Sequence, residues 1–106
     1  MNKALEEMVN LKYGWDGFNA PSPNRDAISA ASEFIDSLSN MVRPNAILPS
    51  AHGGVGISFS NNDRYASIEF CNDGEIVMLK MVGESEPDAS LIHCDEARKE
   101  VLRHLS

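Results

Sequence analysis

The stretch from Val55 to Val82 most constrains the fold, because it alternates apolar and polar residues twice and then contains the unbroken apolar run Ile76 to Leu79. Residues 55–59 and 66–70 each place an apolar residue at every second position. Side chains of a strand alternate between its two faces, so this period predicts two strands with one apolar face. Asn61-Asn62-Asp63 and Asn72-Asp73-Gly74 are turn signals. With a third strand containing the apolar run Ile76 to Leu79, they predict a three-stranded antiparallel meander sheet.

Two helices are predicted ahead of these strands. Residues 3–12 carry apolar side chains at helical spacing and acidic ones on the other side. The second helix is predicted to begin with Ser22 as N-cap and Pro23 at the first helical position, because a hydroxyl accepts from free amides and proline loses no donor there. Its apolar residues recur on one face as far as Leu38, and Pro44 excludes a continuation.

The remaining segments complete one domain. Ala46 to Pro49 offers a short extra edge strand, since proline has no amide for a central ladder. Gly83 to Ser90 is predicted to be a polar loop, and Asp95 is predicted to cap a C-terminal helix. We therefore predict a single α+β domain over residues 1–106, with two N-terminal helices, the three-stranded meander and a C-terminal helix.

Charge limits the partners of this chain. Its 106 residues have a formal charge of −7, and a net negative protein repels the phosphates of nucleic acids and of anionic lipids. Apolar runs are far shorter than the roughly 20 residues needed to cross a bilayer, and two cysteines, Cys71 and Cys94, are too few for a disulfide framework. These features predict a cytoplasmic protein that binds neither nucleic acid nor membrane.

The negative charge is local. Between Glu69 and Glu96 the chain has eight carboxylates against the single base Lys80. One interpretation is a solvated surface that keeps a small protein soluble, and the other is a docking face for a partner with a basic surface. The predicted partner-facing patch consists of Asp73, Glu75, Glu84, Glu86 and Asp88.

An aromatic loop precedes the second helix. Tyr13, Trp15 and Phe18 lie within six residues that also contain Gly14 and Gly17. One interpretation places Trp15 in the core between the first two helices, while the other makes the three aromatic side chains an anchor at an interface. The sequence leaves both open.

Catalytic constellations are missing. His93-Cys94 and Cys71 lack the paired spacing of zinc ligands, and Gly53-Gly54 lacks the helix and lysine of a phosphate-binding loop. We predict no catalytic residues, no metal and no cofactor, and hence no enzyme. An enzyme or small-ligand protein that uses His52, His93 or a cysteine is the third functional hypothesis, ranked after the two protein-binding hypotheses given below.

The aromatic loop also carries a resemblance. The chain resembles a set of small uncharacterised bacterial proteins that share a GWDG(Y/F)-x-A-P loop, with Phe18 at the last aromatic position. The matching segments are Gly14-Trp15-Asp16-Gly17-Phe18, Ala20-Pro21-Ser22-Pro23, Leu48-Pro49, Gly53-Gly54 and Asp73-Gly74-Glu75-Ile76. The resemblance implies a bacterial or phage origin and brings no activity with it.

Size, local charge and missing catalytic groups lead to one main hypothesis. The chain is predicted to be a small acidic protein-binding domain, an inhibitor or antitoxin-like partner that covers a basic site on a larger protein. The alternative is a structural or assembly module that associates with itself, as a homodimer, through a sheet edge or the last helix.

Overall fold

Alternating apolar residues build one antiparallel sheet that three helices cover on one side. A computed structural model describes residues 2–38 and 42–106. The helices are α1 (Lys3–Met8), α2 (Arg25–Leu38) and α3 (Cys94–Leu105). The strands are β1 (Ala46–Pro49), β2 (Gly54–Asn61), β3 (Arg64–Cys71), β4 (Ile76–Val82) and β5 (Asp88–Leu91). In the sheet the strands lie in chain order, each antiparallel to its neighbours.

The α+β class is confirmed, but the three-stranded meander is wrong because the sheet has five strands. The strand at one edge is β1, which coincides with the predicted short extra strand from Ala46 to Pro49. The strand at the other edge, β5, occupies the second half of the predicted polar loop and pairs with β4 from Lys80↔Asp88 to Val77↔Leu91. All four residues of β5 are exposed. Its two apolar residues, Ala89 and Leu91, alternate with Asp88 and Ser90, but two positions are too few to distinguish a strand from a polar loop.

A single hydrophobic core lies between the sheet and the helices. Its sheet side is built from the alternating residues of β2 and β3 together with Met78 of β4. The apolar stripes of all three helices pack on this face. Phe34 of α2 is central, because its ring lies 6.1 Å from that of Phe59 and 5.5 Å from that of Phe70. None of the described helices packs on the opposite face of the sheet.

The helix ends differ from the predicted ones. Helix α2 begins two residues beyond Pro23, and its cap is Asn24, whose Oδ1 accepts from the Ala27 backbone N at 2.8 Å. Ser22 therefore lies outside the helix. The predicted cap Asp95 lies in the first turn of α3, and the N-cap position belongs to His93, which makes no side-chain capping bond.

The helices are short. The longest, α2, has 14 residues and spans about 21 Å at 1.5 Å per residue. A membrane-crossing helix needs roughly 20 predominantly apolar residues. Within residues 2–38 and 42–106, no helix has the length and apolar character to cross a bilayer.

Candidate functional site

The five carboxylates predicted to form one acidic patch lie at two ends of the sheet. Asp73 and Glu75 belong to the β3–β4 turn, whereas Glu84, Glu86 and Asp88 belong to the β4–β5 turn and the start of β5. Strand β4 separates the two turns, and its seven residues span about 23 Å at the usual rise of a strand. The predicted residues therefore do not form a single surface.

At the β4–β5 turn the acidic groups have basic neighbours. Glu86 and Asp88 line a shallow cavity of about 260 Å³ together with Lys80 and His104. Lys80 also lies 4.0 Å from Glu100. Positive charge beside these carboxylates reduces the potential that a basic partner would meet. This end of the sheet is thus less suited to such a partner than its acid content suggests.

The other end of the sheet carries a groove between α2 and the start of α3. Two adjoining cavities, of about 310 Å³ and 60 Å³, share Ala30, Phe70 and Ile76 as lining. We call this region the α2–α3 groove and define it by that apolar floor and four carboxylates. The four carboxylates are Asp26, Glu33, Glu75 and Asp95.

Helical spacing places one wall of the groove. Asp26, Ala30, Glu33 and Ser37 of α2 follow one another at intervals of four, three and four residues, so they lie along one stripe of the helix. This stripe is adjacent to the buried one that includes Phe34. The wall therefore combines carboxylates at its outer edge with apolar side chains at its base.

The opposite wall comes from distant parts of the chain. Glu75 ends the β3–β4 turn, where Gly74 has a φ of +93° and its backbone N donates to the Cys71 carbonyl at 3.0 Å. Asp95 is in the first turn of α3. The chain reaches α3 directly after β5, and Ile92 N donates to the Ile76 carbonyl at 2.9 Å, which places the start of α3 beside the start of β4.

The carboxylates of the groove are exposed and lack counter-ions in the described structure. All four side chains are exposed, and none of them makes an ion pair with a described residue. Arg98, the cation of α3 nearest in sequence to Asp95, donates to the Ser37 carbonyl at 3.2 Å. Unpaired acids around an apolar floor can bind a partner that offers an apolar side chain flanked by bases.

Both cysteines lie at this groove, and both are free thiols. Cys94 is exposed at the first position of α3, whereas Cys71 is half-buried at the end of β3. Burial raises the pKa of the Cys71 thiol, and the neighbouring charges of Glu69, Asp73 and Glu75 raise this pKa further. The thiol of Cys71 is therefore kept protonated, which lowers its nucleophilicity.

Hydrogen bonds between side chains and backbone groups of the same segment fix the aromatic loop. Oδ1 of Asp16 accepts from the backbone N of Phe18 at 2.9 Å and of Ala20 at 3.2 Å, and Trp15 Nε1 donates to the Pro21 carbonyl at 2.9 Å. Trp15 is half-buried and lies outside the main core, so it is not the core plug of the first interpretation. Tyr13 and Phe18 are exposed by 69% and 82%, which leaves the anchor interpretation as a prediction.

The groove was only partly visible in the sequence. Glu75 belongs to the predicted patch, whereas Asp26, Glu33 and Asp95 lie outside it. The available signal was the four-three-four spacing on α2, which places two acids beside the buried stripe. No local signal links α2 to Asp95, because 57 residues or more separate them along the chain.

The histidines of the last-ranked enzyme hypothesis do not come together with other ligands. His52 is exposed in the β1–β2 turn, and His93 precedes α3. Within the part of the chain that the structure describes, no three His, Cys, Asp or Glu side chains form a metal-binding cluster. Comparison of the chain with models of protein families, with curated proteins and with solved structures gives no match.

Proposed function

We propose that this chain is a small acidic protein-binding domain whose α2–α3 groove takes a basic, amphipathic segment of a larger protein. The observation that carries the proposal is the combination of an apolar floor with four unpaired carboxylates in one groove. A segment with one or two apolar side chains flanked by Lys or Arg complements both features. The larger cavity, about 310 Å³, has room for a side chain of leucine or phenylalanine size.

The biological role that fits such a groove is that of an inhibitor or antitoxin-like partner in a bacterium or a phage. Acidic groups accelerate encounter with a basic surface, and an acidic domain can occupy a site that otherwise meets nucleic acid. Two free thiols support residence in a reducing compartment such as the cytoplasm. The resemblance to bacterial proteins with the GWDG(Y/F)-x-A-P loop supports the same origin.

The first experiment uses a defined probe. Fluorescence anisotropy measures binding of a labelled amphipathic helical peptide of Leu and Lys, and a Leu and Glu peptide of equal length is the control. We expect micromolar binding of the Lys peptide that weakens about tenfold between low salt and about 0.5 M NaCl, because salt screens the charges. Equal binding of both peptides, or no binding of either, would contradict the proposal.

Matched charge reversals locate the site. The pair Glu33→Lys and Asp95→Lys removes charge from the groove, whereas the pair Glu84→Lys and Glu86→Lys makes the same change at the β4–β5 turn. We expect the first pair to abolish binding and the second to reduce it at most about threefold, through net charge alone. The reverse order of effects would move the partner surface to Glu84, Glu86 and Asp88 and refute the groove.

The natural partner can then be identified by comparison rather than by capture alone. The native chain and the Glu33→Lys, Asp95→Lys variant are used in parallel as bait, and only proteins lost with the variant are considered. A basic protein bound by the native chain, whose activity falls on binding, fulfils the proposal. A protein that binds both baits equally does not use this groove.

A further inference from the structure

The sheet has a second face that no described helix covers. Residues on this open face alternate with the core residues and form rows across the strands. The first row is Leu48, Gly56, Glu69, Val77 and Leu91. The middle row is Ala46, Ser58, Ser67, Leu79 and Ala89. The last row contains Ser60, Tyr65 and Met81.

The open face is almost free of charge, and its apolar residues lie on β1, β4 and β5, on either side of the serines of β2 and β3. Leu48 and Leu91 are 62% and 69% exposed, and the β4 residues between them are aliphatic or Met. Among the strand residues described on this face, Glu69 carries the only charge. A chain with a net charge of −7 can approach a like-charged copy most closely through such a face.

We infer that a second copy of this chain packs face to face on the open sheet, independently of the α2–α3 groove. Five strands about 4.8 Å apart and three rows about 7 Å apart cover roughly 500 Å², so two copies bury about 1,000 Å² together. That area is near the lower limit for a specific interface. The dimer is therefore a weak one, with a dissociation constant in the micromolar range.

Charge selects the symmetry axis. A two-fold axis along β3 would set Glu69 against Glu69 of the second copy, which like charges oppose. A two-fold axis along the middle row instead sets Glu69 opposite Tyr65 of the second copy and Leu79 opposite its own counterpart. Oε1 of Glu69 already accepts from Ser50 Oγ at 2.7 Å, and its other oxygen can accept from that tyrosine hydroxyl.

The surface of the face suits this arrangement. A shallow notch of about 260 Å³ lies over Gly56, between Leu48 and Tyr65. Small side chains on β1 and β2 allow close approach there, while Val77, Leu79 and Met81 supply apolar contact on β4. The axis along the middle row pairs Val77 with Met81 of the second copy, so this apolar strip packs on itself.

Sedimentation equilibrium of the full chain tests the proposal. We expect an average mass that rises with concentration towards twice the 11.6 kDa of the chain. Raising NaCl to about 0.5 M should tighten the dimer about threefold, because salt screens repulsion between the copies. This is opposite to the expectation for the groove. A chain that stays monomeric at about 200 µM and high salt would overturn the proposal.

Complementary substitutions at the self-facing position give the sharpest test. Leu79→Lys and Leu79→Glu should each give a folded monomer, and mixing the two should restore a dimer, since Lys then faces Glu. The matched control is Val9→Lys with Val9→Glu, at the C-cap residue of α1, which is apolar and 61% exposed; this pair should leave dimerisation unchanged. A Leu79→Lys chain that dimerises as well as the native one, or folded variants that stay monomeric when mixed, would overturn the proposal.

A milder variant covers the case in which Leu79 substitutions disturb the fold. Tyr65→Phe removes only the hydroxyl and should weaken the dimer about 25-fold, since the two-fold axis repeats the hydrogen bond to Glu69 and both copies of this bond are lost. Circular dichroism confirms that each variant is folded. An unchanged dissociation constant for Tyr65→Phe would overturn the assigned axis, and with it the proposed dimer.

Discussion

Asn24 and Asn72 bind each other's backbone although 48 residues separate them. The Asn24 backbone N donates to Oδ1 of Asn72 at 2.8 Å, and Nδ2 of Asn24 donates to the Asn72 carbonyl at 2.8 Å. Nδ2 of Asn72 also donates to the Ser22 carbonyl at 3.0 Å. This reciprocal pair attaches the start of α2 to the β3–β4 turn, and both walls of the α2–α3 groove begin there.

We expect removal of Asn72 to be costly. Asn72→Ala leaves the Asn24 backbone N and the Ser22 carbonyl without their protein partners and should lower the free energy of unfolding by about 1–2 kcal/mol, because water can reach these partly exposed groups. Asn24→Ala also loses the helix cap and should cost about 1–2 kcal/mol. Urea denaturation of the single and double variants should give a coupling energy of about 1 kcal/mol. Additive effects would show that the pair does not act as a unit.

Gly54 should tolerate no side chain. Its φ is +126°, and a Cβ at this position would overlap the Phe70 carbonyl in the neighbouring strand. Gly54→Ala should therefore prevent folding or cost at least about 4 kcal/mol. The matched control is Gly74→Ala, at a φ of +93° with nothing within 4 Å of the added Cβ, which should cost only about 1 kcal/mol in thermal unfolding. Similar losses for the two variants would contradict the close approach.

The two thiols should react at different rates. The raised pKa of Cys71 lowers its thiolate fraction at pH 8, so the exposed Cys94 should be alkylated about tenfold faster there. The Cys71 rate should keep rising as the pH passes 9. Mass spectrometry of Cys71→Ser and Cys94→Ser chains treated with iodoacetamide assigns each rate. A Cys71 thiol that reacts as fast as Cys94 at pH 8 would argue against the burial and the acidic surroundings described.

Ion pairing of Glu100 should appear as a pH-dependent contribution to stability. A hydrogen bond from Arg103 lowers the pKa of Glu100 from its ordinary value of 4.5, and the charges of Arg103 and Lys80 add to the shift. A carboxyl with a lower pKa in the folded state stabilises the fold above its unfolded pKa. This stability is lost as the pH falls through the folded value.

Comparison of the native chain with Glu100→Gln measures this contribution. The native chain should have the higher melting temperature at pH 7, and the difference should shrink as the pH falls below 4.5 and the carboxylate of Glu100 becomes protonated. Glu84→Gln, at an exposed turn position outside the helices and without an ion pair in the described structure, should show no such change. A melting-temperature difference that persists undiminished at pH 3 would assign the effect to something other than ionisation.

Local patterns predicted the elements with a buried face. The alternation of residues 55–59 and 66–70 and the apolar stripe of α2 identify β2, β3 and α2, because burial on one side leaves a period in the sequence. Strand β5 has no buried side, and its two apolar residues are too few to establish a period. The sequence favours Ser22 over Asn24 as the helix cap, because its hydroxyl can also accept a hydrogen bond from a free amide and Pro23 suits the first helical position.

The surfaces were harder to predict than the elements. The predicted acidic patch groups carboxylates that are close in sequence between Glu69 and Glu96. In the structure Glu75 and Glu84 lie at opposite ends of β4, so closeness in sequence does not make them neighbours in space. The groove joins Glu33 to Asp95 only through the packing of α2 and α3 on the same sheet. Such proximity depends on tertiary contacts, which the periodicity of a sequence does not reveal.

The chain-order pairing of the five strands also bears on how the protein reaches its fold. Each strand pairs with the strand before it in the chain, so loop-closure entropy stays small within the sheet, whereas the helices pack on strands that are distant in sequence. A low contact order of this kind accompanies rapid folding. The sheet can therefore grow hairpin by hairpin, and β1 and β5 remain as its two edge strands.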